Sequence, residues 1–560
     1  MKKAIAILLT MAMSAALLVG CGSSESSTPA ASAPAEEAPA EEAAPAEDAA
    51  EAAAESTGTA FVESDDPADW PTLTFFDKNS GSKLFDDPVA LELMNRLHIN
   101  IEVINPSGDP AEKLALMLAG QDYPDFVLMD RSSDIVNKYI EAGALVNLTE
   151  YMDKLPNVVA MYGDTISKSV YSDGNTYWLN NWYGFDPDPV YAVNMRYDIL
   201  CELVGKERAD SAEAFTVSEF MDLCEQFLEK YPEIDGYETI AVTMGEKGNE
   251  DYCKGMYGIK TYYNDNGTLK WDVRDPKYID AMGFVNDLYT AGYLDKEWVS
   301  NKDEVRNQKM AAGYVFAEFG SYWDVWNPNA ALSTAKGEDA VFLAYKVMPD
   351  GADPEVNTLS PRSSLGWDAI GLTTNCENID AALHFIDYCA SQEGQDLLLW
   401  GIEGEHWTMD GDNYVPNEEI MLGLQNDNSN TVTATGITRW TWFVRNSSTH
   451  KDGSPCRMQF AVQDRVNQQA YKTLTNGYYD TAIYNNLIPT GNSTDALKAQ
   501  KVQDIFDQAY PKMVNAASRE EMVMVYDEMI ADMEAAGLAD VEAVIDAGYQ
   551  ERVALWGVTE

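Results

Sequence analysis

The chain has 560 residues, 46% of them hydrophobic and 23% charged, which is enough apolar sequence for three or four domain-sized units. Its 38 Lys and Arg face 92 Asp and Glu, a formal charge of −54 that repels phosphate backbones and anionic headgroups and excludes a nucleic-acid partner. The 13 Trp and 30 Tyr provide flat amphipathic faces that suit sugars, peptides or protein surfaces alike.

Residues 1–20 read as a signal peptide, with Lys2 and Lys3 ahead of an apolar run, Ala4–Leu18, that is too short for a permanent span. The run ends in Leu18-Val19-Gly20-Cys21, which resembles a bacterial lipobox. That resemblance implies cleavage before Cys21 and acylation of its thiol and new N-terminus, two or three chains that anchor where one would not. Residues 21–65 are expected to be a disordered tether: from 22 to 60 they carry nine acids and no base among Ala, Pro, Ser and Thr. The six cysteines beyond Cys21 (Cys201, Cys224, Cys253, Cys376, Cys389 and Cys456) have neither CxxC nor metal-ligand spacing, so no disulfide is predicted.

From Trp70 the pattern alternates. Leu73–Phe76 is a predicted strand, Pro88–Leu97 a helix and Ile99–Ile104 a strand. Asp109 caps a helix over Ala111–Ala119 that stops at Gly120, and a third strand leads to Met129-Asp130. Such alternation predicts an α/β fold with a mostly parallel sheet, whose ligands lie beyond the C-terminal strand ends. Asp77, Asn79, Asp130 and Arg131 fall there. Further on come a strand over Val190–Asn194, a helix near Tyr197–Val204, and a hairpin over Tyr262–Val273 turning at Asn266-Gly267. A helix is expected at about 276–291, a strand at Gly313–Ala317, a buried strand at Trp367–Thr373 and one helix at about 379–397. Met409–Tyr414 turns at Asp410-Gly411, and Ser518 with Glu521 forms a capping box before a helix whose inner face is Met522, Val525, Met529 and Met533.

Several of these segments are similar in order and spacing to those of the extracellular solute-binding lipoproteins of ABC importers, in their carbohydrate-associated group. The similar segments are Leu114 to Asp125 with its Gly120 and Pro124-Asp125, Glu141 to Thr149, Leu288 to Asp295, and Gly401-Ile402-Glu403-Gly404-Glu405-His406-Trp407. The resemblance implies a two-lobed, periplasmic-binding-protein-like α/β clamshell with hinge crossings. One lobe is expected over 66–185 and 365–415, the other over 190–360 and 425–560. It further implies a monomer on the extracellular face of the bacterial cytoplasmic membrane that delivers an oligosaccharide to an ABC permease. Calcium is not carried over, because Tyr231 to Glu238 lacks the repeated carboxylates that some relatives have there; no metal and no cofactor is expected.

A neutral sugar needs apolar faces for its C–H surface and dense polar groups for its hydroxyls. The expected ligand contacts are therefore Asn79, Asp130 and Arg131 at strand ends, Trp178, Trp182 and Tyr183 before the first crossing, and Glu318, Trp323 and Trp326 after an apolar strand. Trp367 and Asp368 at the return crossing, with Arg439 and Trp440 in an alternating Arg439–Trp442 segment, complete the set. The same clamshell binding a peptide or amino sugar is an alternative reading, as is a surface glycoside hydrolase or lyase. No GxSxG, HExxH, GxGxxG or P-loop is present and the four His are scattered, so no catalytic residue is assigned.

Overall fold

Short, nearly continuous apolar runs place most of the strands, and these build two main sheets beside several two-stranded pairs. The computed structural model describes residues 64–79, 83–131, 133–181, 189–245, 250–426, 428–446, 450, 457–458, 464–491 and 493–557, all within the unit Gly58–Glu560. The expectations for the signal peptide, for Cys21 and the tether before residue 64, and for Trp182, Tyr183 and Cys456 lie outside the described residues. The principal strands are β1 (Thr72–Phe76), β2 (Asn100–Ile104), β3 (Phe126–Asp130), β4 (Leu179–Asn180), β5 (Tyr191–Arg196), β6 (Ile240–Thr243), β7 (Val315–Ser321), β8 (Phe342–Tyr345), β9 (Ser360–Arg362), β10 (Asp368–Leu372) and β11 (Tyr478–Asp480).

The first sheet has the order β2-β1-β3-β10-β4, with β1 parallel to β2 and β3 while β10 runs antiparallel to β3 and β4. Successive side chains leave a strand on opposite faces, and both faces here are covered. Leu73, Phe75, Phe126, Leu128, Ile370 and Leu372 enter one apolar cluster, while Phe76, Val127, Met129 and Ala369 enter the other. The second sheet has the order β8-β5-β7-β6, antiparallel except between β6 and β7. It underlies the second lobe's large core, which runs from Ala192 to Tyr549.

Local chemistry explains the element ends. Asp87 and Asp109 cap helices that begin at Pro88 and Pro110, each carboxylate accepting first-turn N–H groups. Asn266 and Gly267 both take positive φ between β-strands Tyr262–Asp265 and Thr268–Trp271, as a tight two-residue hairpin turn requires. The region expected as one helix at 379–397 is two, Ile379–Ala390 and Gln392–Trp400. Ser391 is extended between them, and its hydroxyl accepts from Gly394 N to start the second. Gly394 lies so close that a Cβ would sit 2.0 Å from Tyr388 O. Ser518 does cap the helix Arg519–Ala536, but Glu521 reaches Ala517 N at 2.8 Å, not the cap residue itself. Cys201, Cys224, Cys253, Cys376 and Cys389 are free thiols.

One segment packs elsewhere than expected. Ile437, Trp440, Phe443, Val444 and Met458 join the apolar cluster of β1 and β3, although 425 onward was expected in the second lobe. The reason is local: Trp440 lies 4.5 Å from the Phe85 ring and donates its indole N–H to Asp87 at 2.7 Å. Packing in the second core resumes at Val466.

Candidate functional site

The parallel strands β1 and β3 end on one edge of the first sheet, where β10 begins, and this edge carries the polar residues. Asp368, fully buried, lies 2.5 Å from Lys78 Nζ, accepts from Asn181 Nδ2 at 3.0 Å, and donates its backbone N–H to Asn181 Oδ1 at 2.9 Å. Burial raises the Asp368 pKa, with Lys78, Asn181 and Asn79 acting in the opposite direction. Asp77 accepts from Asn79 N at 2.9 Å and lies 3.5 Å from Lys83 Nζ. Asn79 and Asp130 are exposed on this edge.

Arg131 ties the edge to the return crossing. Its Nε and Nη2 donate to Gly366 O at 3.2 and 2.5 Å, and its backbone N–H donates to Trp367 O at 3.0 Å. Burial brings this guanidinium down to about 10, against the pull of Asp130, Asp368 and Asp480. Gly366 has φ +59, and a Cβ there would stand 1.6 Å from Asn181 O, so only glycine permits the turn. The turn leaves Trp367, the residue before Asp368, 39% exposed.

On the second lobe the residues expected after an apolar strand divide: Glu318 lies inside β7, paired with Asn194 of β5, and only Trp323 and Trp326 follow the strand. Glu318 is fully buried: Asn194 Nδ2 donates to it at 2.7 Å and Arg306 Nε stands 3.6 Å away. Gly320 makes room for it, since a Cβ there would be 2.2 Å from Glu318 Oε1. Burial pushes Glu318 up to about 7, with Arg306 working against the rise. Past the strand, the half-buried Trp323 lies edge-on to Tyr322 with the Arg362 guanidinium 4.8 Å from its ring centre, while Trp326 is 40% exposed.

The raised Glu318 pKa has a consequence for stability. The folded protein holds this proton from about pH 4.5 to about 7 while the unfolded chain has released it. Stability from this group is complete below that window and is lost as pH rises through it, at up to ~1.4 kcal/mol per pH unit. Glu318→Gln is expected to flatten the dependence of the urea midpoint between pH 5 and 8 by that amount; an unchanged slope would show Glu318 ionised throughout.

Other expected contacts pack within the first lobe. Trp440 is a fully buried core side chain, and Arg439 Nη1 lies 3.4 Å from the Asp87 carboxylate. Arg439–Trp442 is a run of turns and not a strand, so its two Trp do not share a strand face; Trp442 packs on the first core. Trp178 is half-buried with Tyr171 and Tyr177 against the same lobe. His406 is buried, accepts from Ile402 N at 3.0 Å, and leaves so little room that a Cβ on Gly401 would be 2.2 Å from its Nδ1. Burial lowers its pKa, and with Ile402 N bonded to its Nδ1 the 401–407 motif is a packed turn.

Sequence reading missed Lys78 and Asn181, which hold Asp368; the signal available was a strand-end Lys in a chain short of bases. It also missed the segment β11. This strand pairs in parallel with β9, and Asp480 accepts from Ser364 N at 2.9 Å and Ser364 Oγ at 2.7 Å beside the return crossing. No group of metal-ligating side chains able to hold an ion occurs among the described residues, and none of their helices is long and apolar enough to cross a membrane.

The chain matches the family model described as bacterial extracellular solute-binding protein over residues 90–400. It is 21% identical over 327 residues to the polygalacturonan/rhamnogalacturonan-binding protein YtcQ of Bacillus subtilis, covering 57% of this chain and 62% of that one. It is 20% identical over 350 residues to the lipoprotein LipO of the same organism, covering 60% and 66%. The matched stretch thus spans less than two thirds of either relative. Its fold is similar to that of an HMO-binding ABC-transporter-associated solute-binding protein from Bifidobacterium longum infantis, with TM-score 0.66, 15% identity and coverage of 86% and 99%. It is also similar to that of the alginate-binding protein AlgQ2, with TM-score 0.61, 18% identity and coverage of 87% and 100%. With more than half its length matched by the family model, and two α/β lobes whose polar strand ends carry exposed tryptophans, this chain belongs to the bacterial extracellular solute-binding proteins.

Proposed function

We propose that this protein captures an oligosaccharide between its two lobes and delivers it, as a monomer, to the transmembrane subunits of an ABC importer. The observation that carries the reading is the first-lobe edge, where exposed Trp367 immediately precedes Asp368, itself buried and held by Lys78 and Asn181. A stacking face next to rigidly held polar groups is what a hydroxylated ring requires. The sugar ligands named for YtcQ, AlgQ2 and the Bifidobacterium protein support the same class. Asp130, Asn79 and the Trp323–Trp326 segment on the facing lobe are assigned to the cleft, so that contacts to both lobes bias closure. The protein binds its ligand without cleaving it.

A thermal-shift screen of the mature chain against glycan and peptide libraries tests this, because a ligand of the folded state raises the midpoint with its concentration over its Kd. A saturable shift with intact glycan is expected; shifts with peptides alone, or recovery of cleaved glycan, would overturn it. Trp367→Ala and Trp326→Ala are each expected to weaken calorimetric glycan affinity by ~2 kcal/mol. Unaltered affinity in both would remove these rings from the cleft.

The lipobox-like Leu18-Val19-Gly20-Cys21 and the acidic segment after it support a proposed position on the outer face of the membrane, anchored through lipid on Cys21. Cys21→Ala is expected to move the protein from the membrane fraction to the medium, and full membrane retention would refute the anchor.

A further inference from the structure

A cavity of about 280 Å³ opens where the segments joining the lobes come together, and none of its lining residues was expected from the sequence. Tyr191 begins β5 just after the first crossing, Pro361 lies in β9 on the return, and Tyr479 sits opposite Pro361 in β11. Tyr484 adds another aromatic wall, and Asp251 and Lys254 come from the helix Glu250–Met256. The volume falls just under the ~300 Å³ at which pockets for drug-sized ligands begin, room for one ring and not for a chain.

The polar groups decide what that ring can be. Lys254 Nζ lies 2.8 Å from Glu250 Oε1, 2.9 Å from Asp251 Oδ1 and 2.6 Å from Asp272 Oδ2. An ammonium has three protons, so these carboxylates occupy all of them and the buried lysine offers a ligand no donor. Its effect is to hold Asp251 in place. Asp251 also accepts from Tyr191 Oη at 3.2 Å, yet its side chain is 59% exposed and a carboxylate has about four acceptor positions. Lys254 beside it keeps this carboxyl ionised, outweighing burial. The pocket thus presents an anionic acceptor between tyrosine faces. A hydroxyl can donate to it, in a charge-assisted bond stronger than a neutral one. A ligand carboxylate would be repelled by Asp251 and would find the Lys254 protons already taken, leaving the exposed rim residue Lys260 as the lining's other cation.

We propose that this pocket is a subsite for one uncharged sugar ring, the terminal unit of a neutral oligosaccharide whose remainder lies in the adjoining cleft. The proposal rests on the carbohydrate-binding reading above and selects neutral over uronic chains within it.

Calorimetry of the mature chain with defined ladders of two to six units tests it, using neutral malto-, xylo-, manno- and fructo-oligosaccharides alongside galacturonides and alginate oligomers. A neutral ladder is expected to bind, tighter than any uronic ladder of equal length. Asp251→Asn and Tyr479→Ala are each expected to weaken its longest member at least tenfold, with the melting temperature little changed. Uronic oligomers that bind as tightly as neutral ones would overturn the proposal. So would wild-type affinity in both variants, which would leave carbohydrate binding itself standing. Binding of no ladder would remove both readings.

Discussion

Lys254→Met is expected to lower the folding free energy by ~3–5 kcal/mol, the usual cost of leaving buried charges without their partner. The side chain is only 10% exposed and lies within 3 Å of three carboxylates. Burial by itself works against the ammonium, but Asp272, Glu250 and Asp251 outweigh it and hold the Lys254 pKa well above its ordinary value. Without it, Glu250 and Asp272 face each other in an apolar surrounding where burial already raises both pKa values, Glu250 to about 7. Carboxyls whose folded pKa lies above the unfolded value stabilise at low pH and lose that contribution as pH rises through the folded value. The deficit of the variant should therefore be small near pH 5 and grow toward pH 8. Urea midpoints of both proteins at the two pH values provide the check. Equal deficits would show that the carboxylates are not the cause.

Asp87→Ala is expected to cost ~2–4 kcal/mol, because one carboxylate serves three partners. Its Oδ1 accepts from Ala90 N at 2.9 Å to cap the helix Pro88–Leu97, and its Oδ2 accepts from Trp440 Nε1 at 2.7 Å with Arg439 3.4 Å away. Loss of a cap costs ~1 kcal/mol, and a buried indole N–H without an acceptor ~1–3 kcal/mol. Gly436 packs against this group so closely that a Cβ would lie 1.9 Å from Asp87 Oδ1, so the site has little freedom to rearrange. Trp440→Phe should destabilise the wild type more than it destabilises Asp87→Ala, since the orphaned N–H is then gone. A double-mutant cycle by denaturant unfolding measures that coupling, and strict additivity would mean the indole bond contributes nothing.

The local elements of the fold were legible because local rules set them. Asp87-Pro88 and Asp109-Pro110 announce helix starts, Asn266-Gly267 demands positive φ, and the short apolar runs Leu73–Phe76 and Phe126–Asp130 place strands buried on both faces. The break at Ser391 carried a weaker signal, a helix-capping serine three residues before Gly394, inside a run whose apolar spacing continues across it.

Which aromatic residues are buried and which exposed was not decided locally. Trp440 and Trp367 each adjoin a charged residue in sequence, yet one is fully buried and the other 39% exposed. The difference comes from partners 353 residues away in one case and from the glycine turn at 366 in the other. Glu318 has the same origin: only the pairing of β7 with β5 brings Asn194 against it. The pocket of Tyr191, Asp251 and Tyr479 draws on segments almost 300 residues apart.

By itself, then, the amino-acid order determined the α/β class, most element boundaries, the acidic character and the motifs that suggest export and anchoring. These follow from short-range periodicity, turn chemistry and composition. The tertiary structure alone decided which core the 437–458 segment joins, which tryptophans are buried, and which carboxyls have raised or lowered pKa values. Those depend on burial and on charges brought together by long-range packing, and neither quantity exists until the chain has folded.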